Sequence, residues 1–290
     1  MNWVNALLQG VLLGGVFCIA AVGLSLLFGV MRIVNLAHGA LMVLAAYLAV
    51  VTLRYVHVPT LLALLVVVPI MAILGYALQR TLLQRALAVS PLAPLLVTFG
   101  LSVIIPNGLL ESFSQDAQPL PVGLLATSSV QLGSGVSLGV LPLITLALAV
   151  ALVAGLGQFL RRTRTGRLMR AAADDSATLR LMGVDNRRVY ALATAVAFAT
   201  VAVAGVLYGV RQGGVTPFEG QLTVLFAFET VIIGGLGSLW GTLLGGIVLG
   251  VSQAVGAEIS PELPLLLGHL VFLAVLALRP SGLLGKVELA

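Results

Sequence analysis

Long apolar runs alternate with short polar breaks along the whole chain. A helix needs about 20 consecutive apolar residues to cross a bilayer, and segments of roughly that length fit between the polar breaks throughout. The sequence therefore predicts an all-α polytopic integral membrane protein of eight or nine transmembrane segments, forming one domain over residues 1–290. The predicted segments are residues 4–30, 36–53, 59–78, 91–110, 138–160, 189–210, 222–236, 240–257 and 263–279.

Residues 222–257 allow two interpretations, one bent helix or two segments. Two segments keep Arg279 on the same side as most other arginines, so we predict a turn at 234–238. The glycines of this region weaken a helix and let backbones approach closely. Irregular backbone at membrane depth occurs where protein buries it or a cavity hydrates it. This glycine-broken hairpin is thus a candidate wall of a translocation path, at Gly234, Gly235 and Gly237.

Basic residues concentrate in one polar stretch, since residues 161–188 hold 8 of the 15 Lys and Arg residues. Cytoplasmic loops carry an excess of Lys and Arg, so we place this stretch in the cytoplasm, the N-terminus outside and the C-terminus inside. The first apolar run is too long for a cleavable signal peptide, and no Lys or Arg precedes it, so we expect none. The net charge of +5 comes from basic residues that anchor the cytoplasmic loops and so set the orientation in the membrane. We therefore expect no nucleic-acid partner.

Composition excludes a soluble protein, because 60% of the residues are hydrophobic and 9% are charged, against about a quarter charged in soluble domains.

The basic stretch 161–188 also carries helix signals. Thr165 can cap a helix that opens at Gly166, and an apolar stripe follows at Leu168, Met169, Ala172 and Ala173. Residues 174–176 offer a turn or a second cap, and Gly183 is a natural helix stop. The stretch is therefore either an ordinary charged loop or one or two short amphipathic helices on which a soluble partner docks.

Three positions between the first two segments are candidates for a substrate path. Asn35 can cap the second helix, and a purely structural role for Asn35 and His38 is one interpretation. The other is that Asn35, His38 and Gly39 line the lower part of a translocation path, because polar groups inside a span usually face an interior or a cavity.

Glu229 is the sharper signal, since it falls about 12 Å inside a predicted span, near the middle of a core about 30 Å thick. An ionised carboxylate there is costly unless it is paired or hydrated. It is either held by a structural hydrogen bond to a neighbouring helix backbone or to Thr230, or it is a polar spot in the path, or it is a proton relay.

Other chemistry finds little support. Cys18 lies in an apolar run and has a packing role, and His57 and His269 are expected at an interface and in helix packing, without metal-ligand companions. We expect no metal and no cofactor. Lys286 follows Gly285 but precedes Val287, so no Walker A loop can be written and any nucleotide must bind another chain.

Six segments resemble the LivH-type inner-membrane permeases of branched-chain amino acid ABC importers, in the same order and over nearly the whole chain. The segments are GLSLLFGVMRIVNLAHGALMVLAAYL (23–48), PLLVTFGLSVII (94–105), TRTGRLMRAAADDSATLRLMGVDNRRV (163–189), AVAGVLYG (202–209), VIIGGLGSLWGTLLGGIVLG (231–250) and LRPSGLLG (278–285).

This resemblance implies a bacterial inner-membrane permease without enzymatic activity of its own. It would assemble in the membrane lipid with a second related permease, two cytoplasmic ABC ATPase subunits and a periplasmic substrate-binding protein. Residues 165–185 would correspond to the region that inserts into a groove of the ATPase. The candidate coupling residues are Thr165, Gly166, Arg167, Met169, Arg170, Ala171, Ala172, Ala173, Asp174, Arg180 and Gly183.

Glu229 departs from the mostly apolar residues expected at 226–230, which leaves the cargo open among branched-chain and other hydrophobic amino acids, urea, short amides and further amino acids. Two other classes compete. An ion-coupled secondary transporter would use Glu229 as its ion site. An intramembrane enzyme would need a catalytic pair, and no nucleophile in the sequence has an evident base.

Overall fold

The computed structural model describes residues 3–56, 58–90, 92–123, 128–133 and 136–285. His57 and Lys286 therefore lie outside the described residues. In the described part, seven helices are long and apolar enough to cross a membrane, and two shorter apolar helices accompany them. These nine helical segments match the nine predicted ones, so the chain is an all-α polytopic membrane protein with a few short strands.

The helices follow the predicted order with shifts of a few residues at most ends. They are α1 (Trp3–Met31), α2 (His38–Val56), α3 (Leu64–Leu78), α4 (Gln84–Val89), α5 (Ala93–Phe113), α6 (Val140–Arg162), α7 (Arg164–Asp174), α8 (Ser176–Leu181), α9 (Asn186–Gln212), α10 (Gly220–Gly234), α11 (Leu239–Ile259) and α12 (Pro264–Leu278).

The third span is longer than predicted. A 3-10 turn (Thr60–Ala63), α3, a π-helical turn (Gln79–Leu83) and α4 run on as one span, Thr60–Val89. The prediction ended this span at residue 78 because Gln79 and Arg80 are polar. In the structure Gln79 is fully buried and its Oε1 accepts a hydrogen bond from Thr194 Oγ1 at 3.0 Å. A polar side chain that is paired inside the bundle does not end a helix.

The interior is organised around α1, which packs against α6, α9, α10 and α11. Its closest neighbour is α11, where Gly10 lies against Gly250 and Gly14 against Gly246 and Ile247. A Cβ added at any of these glycines would collide with the backbone of the other helix. Small residues at a helix contact let the backbones approach, which strengthens packing where lipid offers no hydrophobic drive.

The glycine-broken hairpin consists of two helices, as predicted. α10 ends at Gly234 and α11 begins at Leu239, with Ser238 as its N-cap accepting a hydrogen bond from Gly241 N at 3.1 Å. Gly235 and Gly237 have φ values of 102° and 79°, a conformation that other residues rarely adopt. The turn therefore depends on these two glycines.

The connection between α5 and α6 contains short strands that the sequence pattern did not predict. β1 (Gln118–Pro119) pairs with β4 (Gly214–Val215), and β2 (Ser129–Gly133) pairs with β3 (Val136–Gly139). Leu120 is fully buried against Gly209 of α9. Pairing of β1 with the distant strand β4 anchors this connection to the bundle, and the local composition does not reveal such pairing.

Candidate functional site

The arginine-rich segment, residues 161–188, forms a corner made of the end of α6, all of α7 and α8, and the start of α9. The cap of α7 is Thr163, not Thr165 as predicted: Thr163 Oγ1 accepts a hydrogen bond from Gly166 N at 3.0 Å. Thr163 has extended backbone between the two helices, which is the conformation a capping residue needs. Thr165 already belongs to the first turn of α7.

The apolar stripe of α7 packs against the protein itself. Met169 and Ala172 are 0% and 4% exposed, and α7 contacts α6, α9 and α1. Gly166 lies so close to the backbone of Phe159 and Leu160 that a side chain would collide there. Of the stripe predicted as a docking surface, Met169 and Ala172 therefore face the bundle, and Leu168 and Ala173 are half-buried. Ala171 beside the stripe is also half-buried.

Two of the candidate arginines brace the corner. Arg167 Nη1 donates to the carbonyl of Arg162 at 2.9 Å, and Arg170 Nε donates to the carbonyl of Leu160 at 3.0 Å. Both acceptors belong to the last turn of α6, whose carbonyl groups have no partner within the helix and carry the negative end of its dipole. The two side chains thus join α7 to the end of α6.

α8 is a separate helix with a cap of its own. Asp175 Oδ1 accepts hydrogen bonds from Ala177 N at 2.9 Å and Thr178 N at 3.0 Å, which agrees with the second cap predicted at 174–176. The Thr178 hydroxyl and these two amide groups lower the pKa of Asp175. Gly183, with φ of 78°, turns the chain after α8, as its sequence position indicated.

Two large apolar residues stand out from this corner. Leu181 is 88% exposed and Met182 is 75% exposed, next to the exposed Arg180. Leu179, two positions before Leu181, is buried. Leu181 therefore points away from Leu179 on α8. Met182 is the residue that follows α8, so helical spacing from Leu179 does not predict its exposure.

The polar residues at the start of α2, Asn35 and His38, are deeply buried. Asn35 Oδ1 accepts a hydrogen bond from Ala37 N at 3.0 Å, and the ring of His38 lies with Nε2 2.6 Å from the carbonyl oxygen of Ala20 in α1. Gly39 is pressed against the backbone of Gly220 at the start of α10. Asn35 Nδ2 and His38 Nδ1 are buried without a hydrogen-bond partner among the described residues. The three residues thus join α1, α2 and α10.

Glu229 has a side-chain partner on a neighbouring helix. Its carboxylate is hydrogen-bonded to Nδ1 of His269 on α12, and the ring of Phe226 stacks 6.4 Å from the histidine ring. The prediction of a structural hydrogen bond named a helix backbone or Thr230, and the structure provides His269 instead. No group of three or more His, Cys, Asp and Glu residues in the described ranges is placed to hold a metal ion.

The hairpin glycines are also packed against other backbone. Gly234 lies against Gly241, Gly235 against Gly285, and Gly237 against Gly29 of α1. The amide groups of Leu283 and Leu284 donate to the carbonyls of Ile233 and Gly234, at 2.8 and 3.0 Å. The segment after α12 therefore covers the hairpin turn, a contact that the sequence interpretation did not include.

The chain is similar to known membrane transport proteins over nearly its whole length. A family model described as the permease component of branched-chain amino acid transport systems matches residues 6–278. The chain is 28% identical to the high-affinity branched-chain amino acid transport system permease protein BraD of Pseudomonas aeruginosa, over 99% of this chain and 97% of that protein.

Two Escherichia coli K12 proteins of the same description are similar as well. The permease protein LivH is 25% identical over 99% of this chain and 97% of its own length. The permease protein LivM is 32% identical over 43% of this chain and 29% of its own length. No solved structure matches the chain.

Proposed function

The chain belongs to the family of permease components of branched-chain amino acid transport systems, and from this we propose that it is the permease subunit of an ABC importer for branched-chain and other hydrophobic amino acids. The observation that carries the proposal is the family match over nearly the whole chain, together with an exposed corner built on a bundle of membrane-spanning helices. The chain is a multi-pass membrane protein and a non-enzymatic transport subunit.

We infer the orientation and partners from the charge distribution and the family. The arginine-rich segment lies in the cytoplasm, so the N-terminus is outside and the C-terminus inside. Two ABC ATPase subunits dock on the cytoplasmic side, a binding protein delivers substrate from the periplasm, and a second related permease completes the membrane part. LivH and LivM of Escherichia coli are both permease proteins of a high-affinity branched-chain amino acid transport system, and similarity of this chain to both supports two related permeases.

The ATPase-docking surface is the exposed tip of the corner, formed by Arg180, Leu181, Met182 and Gly183. Burying an apolar side chain of this size stabilises a contact by about 1.5–3 kcal/mol. Leu181 and Met182 can therefore bind in a groove of the ATPase, while Arg180 adds a positive charge at the rim of that groove. The buried members of the predicted coupling set act differently. α7 packs against the bundle through Gly166, Met169 and Ala172. The hydrogen bonds of Arg167 and Arg170 hold α7 on the end of α6, so a movement of the bound ATPase is passed on to the membrane helices.

The translocation path runs beside the polar and glycine positions that join the central helices. These positions are Asn35 just before α2, His38 and Gly39 at the start of α2, and Glu229, Gly234, Gly235 and Gly237 in and after α10. Their close backbone contacts, such as Gly39 with Gly220 and Gly237 with Gly29, allow neighbouring helices to shift while staying in contact. ATP-driven closure of the ATPases would move the corner, and the α10–α11 hairpin and the start of α2 would switch access from one side to the other.

The test is a double variant, Leu181→Glu and Met182→Glu, which replaces both exposed apolar residues of the tip in the assembled importer. Because both side chains are exposed, the change leaves the membrane bundle intact and removes the anchor. We expect loss of ATPase co-purification and at least a tenfold fall in uptake of labelled leucine. The matched control is Val89→Glu, at an 83% exposed apolar position outside the corner. Wild-type uptake and wild-type ATPase recovery in the double variant would refute the docking surface.

A further inference from the structure

Arg54 lies at the end of the bundle opposite the arginine-rich corner. It belongs to the last turn of α2, and its Nη2 donates a hydrogen bond to Gln118 Oε1 on β1. β1 pairs with β4, which follows α9, and α9 starts at the corner and runs for 27 residues, about 40 Å. Most basic residues of a membrane protein gather at one end, so an arginine at the other end needs a physical explanation.

The guanidinium of Arg54 is fixed in place without an opposite charge. It carries five N–H donors, and the hydrogen bond to Gln118 uses one of them. The ring of Phe113 lies against it, 5.6 Å from the guanidinium carbon. Within the ranges that the structure describes, no ion pair joins Arg54 to a carboxylate, although Glu111 and Asp116 flank Phe113 in the sequence. The contacts therefore hold the side chain and leave its charge available to a ligand.

A cavity of about 670 Å³ opens beside this guanidinium. Among the described residues that line it, Arg54 is the single charged one, and the others are valine, leucine, proline, glycine and Thr60. Thr60 donates its hydroxyl hydrogen to the carbonyl of Pro121, so this hydroxyl already has a partner. Clefts of about 300–1,000 Å³ with few polar groups are typical of small-molecule sites. The cavity thus offers one cation and an otherwise apolar lining.

Three segments of the chain form the walls of the cavity. They are residues 50–54 at the end of α2, residues 58–61 at the start of the third span, and residues 119–123 in the connection after α5. The pairing of β1 with β4 and the hydrogen bonds of Gln118 and Thr60 tie these segments together. Three of the lining residues are prolines, whose φ is fixed by the ring. The cavity is therefore formed before a ligand arrives, which lowers the ordering cost of binding.

The cavity lies at the boundary between water and the hydrocarbon core. Arg54 is near the end of its span, and the exposed Tyr55 follows it. Tyrosine is enriched at this boundary. Val50 lines the cavity four residues, about 6 Å, further into the span, and Leu61 lines it from the third span. A ligand would therefore meet a cation towards water and apolar side chains towards the membrane.

We propose that this cavity binds an anionic phospholipid. The phosphate pairs with Arg54, and part of an acyl chain lies along Val50 and Leu61. A planar guanidinium can donate two parallel hydrogen bonds to phosphate oxygens, and apolar walls match hydrocarbon. A phospholipid at the membrane boundary carries both groups in one molecule. The inference requires only that the chain lies in a membrane, so it does not depend on the cargo of the importer.

A free amino acid fits this lining less well. Its carboxylate could pair with Arg54, and an aliphatic side chain could contact the apolar walls. Its ammonium group would need an acceptor, and the described lining contains no carboxylate and no imidazole. A buried charge without a partner is costly. A phospholipid whose head group carries no cation, such as phosphatidylglycerol, has no positive group to satisfy.

Lipid titration of the purified full chain in detergent tests the site. The probes are dioleoyl phosphatidylglycerol and dioleoyl phosphatidylcholine, which have the same chains, and the readout is the thermal midpoint, because a ligand of the folded state raises it. We expect phosphatidylglycerol to raise the midpoint of the wild type. In Arg54→Gln its apparent dissociation constant should be about tenfold higher, since the charge-assisted hydrogen bonds to phosphate are lost. Phosphatidylcholine should have a smaller effect that is equal in both proteins.

Two further variants separate the site from general effects of charge and fold. Arg211→Gln is the matched control, because Arg211 lies at the same end of the bundle and does not line the cavity, and it should keep wild-type affinity for phosphatidylglycerol. Val122→Trp keeps Arg54 and fills the apolar part of the cavity, so it should weaken binding even if Arg54→Gln also lowers the lipid-free midpoint.

Inorganic phosphate and L-leucine, each added alone, distinguish the lipid from other anions. Neither should produce a midpoint shift that depends on Arg54. Such a shift with phosphate alone or with leucine alone overturns the lipid site. Wild-type affinity for phosphatidylglycerol in Arg54→Gln or in Val122→Trp, or an equal loss of affinity in Arg211→Gln, overturns it as well.

Discussion

The carboxylate of Glu229 on α10 is hydrogen-bonded to Nδ1 of His269 on α12, and it is the only described contact of a carboxylate with a histidine. The glutamate side chain is 4% exposed and the histidine 38%. α12 is a peripheral helix whose single buried residue is Gly268, next to His269. A peripheral apolar helix is thus tied to the bundle by one polar contact at membrane depth.

Removal of this histidine should loosen α12. In His269→Ala, Glu229 stays buried and loses its partner, which we expect to cost about 1–3 kcal/mol. The measurement is the thermal midpoint of the purified protein in detergent, followed by loss of monodisperse elution after heating.

Two further variants isolate the pair. Glu229→Gln keeps a side chain that can bond the histidine and should be milder than His269→Ala. The double variant Glu229→Leu with His269→Leu removes both polar groups and should recover most of the loss, because an unpaired buried group costs more than an apolar pair. A midpoint in His269→Ala equal to that of the wild type would show that the contact contributes nothing.

The contact between Gly39 and Gly220 should tolerate no side chain. A Cβ at Gly39 would collide with the carbonyl of Gly220, so Gly39→Ala must separate α2 from α10, at a cost of about 1–3 kcal/mol typical of overpacking. The control is Gly155→Ala, where a Cβ meets no atom within 4 Å and helix propensity improves by up to about 1 kcal/mol. Thermal midpoints should fall in the first variant and stay level or rise in the second. Equal midpoints would argue against the close approach.

The cap of α8 should depend on pH in one direction only. The folded state lowers the pKa of Asp175 below its ordinary value of 3.8. The capping contribution is therefore complete above that value and is lost as pH falls through the still lower folded pKa. Hydrogen exchange of residues 176–182 should be slow and unchanged from pH 7 to pH 5, once corrected for the intrinsic rate.

Variants of Asp175 separate the cap from its charge. Asp175→Ala should speed exchange of residues 176–182 at neutral pH, whereas Asp175→Asn, which keeps an accepting oxygen, should stay close to the wild type. Protection in Asp175→Ala that matches the wild type would mean that packing of Leu179 alone holds α8.

Asp185 combines a helix cap with two ion pairs. Its Oδ1 accepts a hydrogen bond from Arg187 N at 3.0 Å and caps α9, and its Oδ2 lies 3.8 Å from both Arg80 Nη1 and Arg188 Nε. Asp185→Asn removes the ion pairs but keeps the cap, so we expect a loss below about 1 kcal/mol that salt also removes. Asp185→Ala removes the cap as well and should cost about 1 kcal/mol more. Equal thermal midpoints in the two variants would make the ion pairs the main contribution.

The sequence predicted the spans well because each span is a local property. The hairpin turn at 234–238 followed from glycines and from the side on which arginines must lie, and both signals are readable without knowing any neighbour. The end of the third span was wrong for the opposite reason. Gln79 is polar in the sequence, and only its contact with Thr194, 115 positions away, shows that it belongs inside the bundle.

The candidate site shows the same division at the arginine-rich corner. Its helices, its second cap at Asp175 and its stop at Gly183 were all readable from local residues. Which apolar residues face outward was not: Met169 and Ala172 are buried against the bundle, and Leu181 and Met182 are exposed. An amphipathic pattern indicates that one face will be covered, and it does not indicate whether the chain itself or a partner covers it.

The sequence by itself determined that the chain is a membrane protein, where its helices lie, and that it belongs with the branched-chain amino acid permeases. Hydrophobic run length, arginine placement and ordered motifs are properties of the chain alone. The tertiary structure decided which polar residues are paired, as with Glu229 and His269, which glycines are filled, and which helix faces stay open. Those outcomes depend on which distant helices pack together. In a bilayer an apolar surface can face lipid at no cost, so polar and close-packed contacts determine which helices pack against each other.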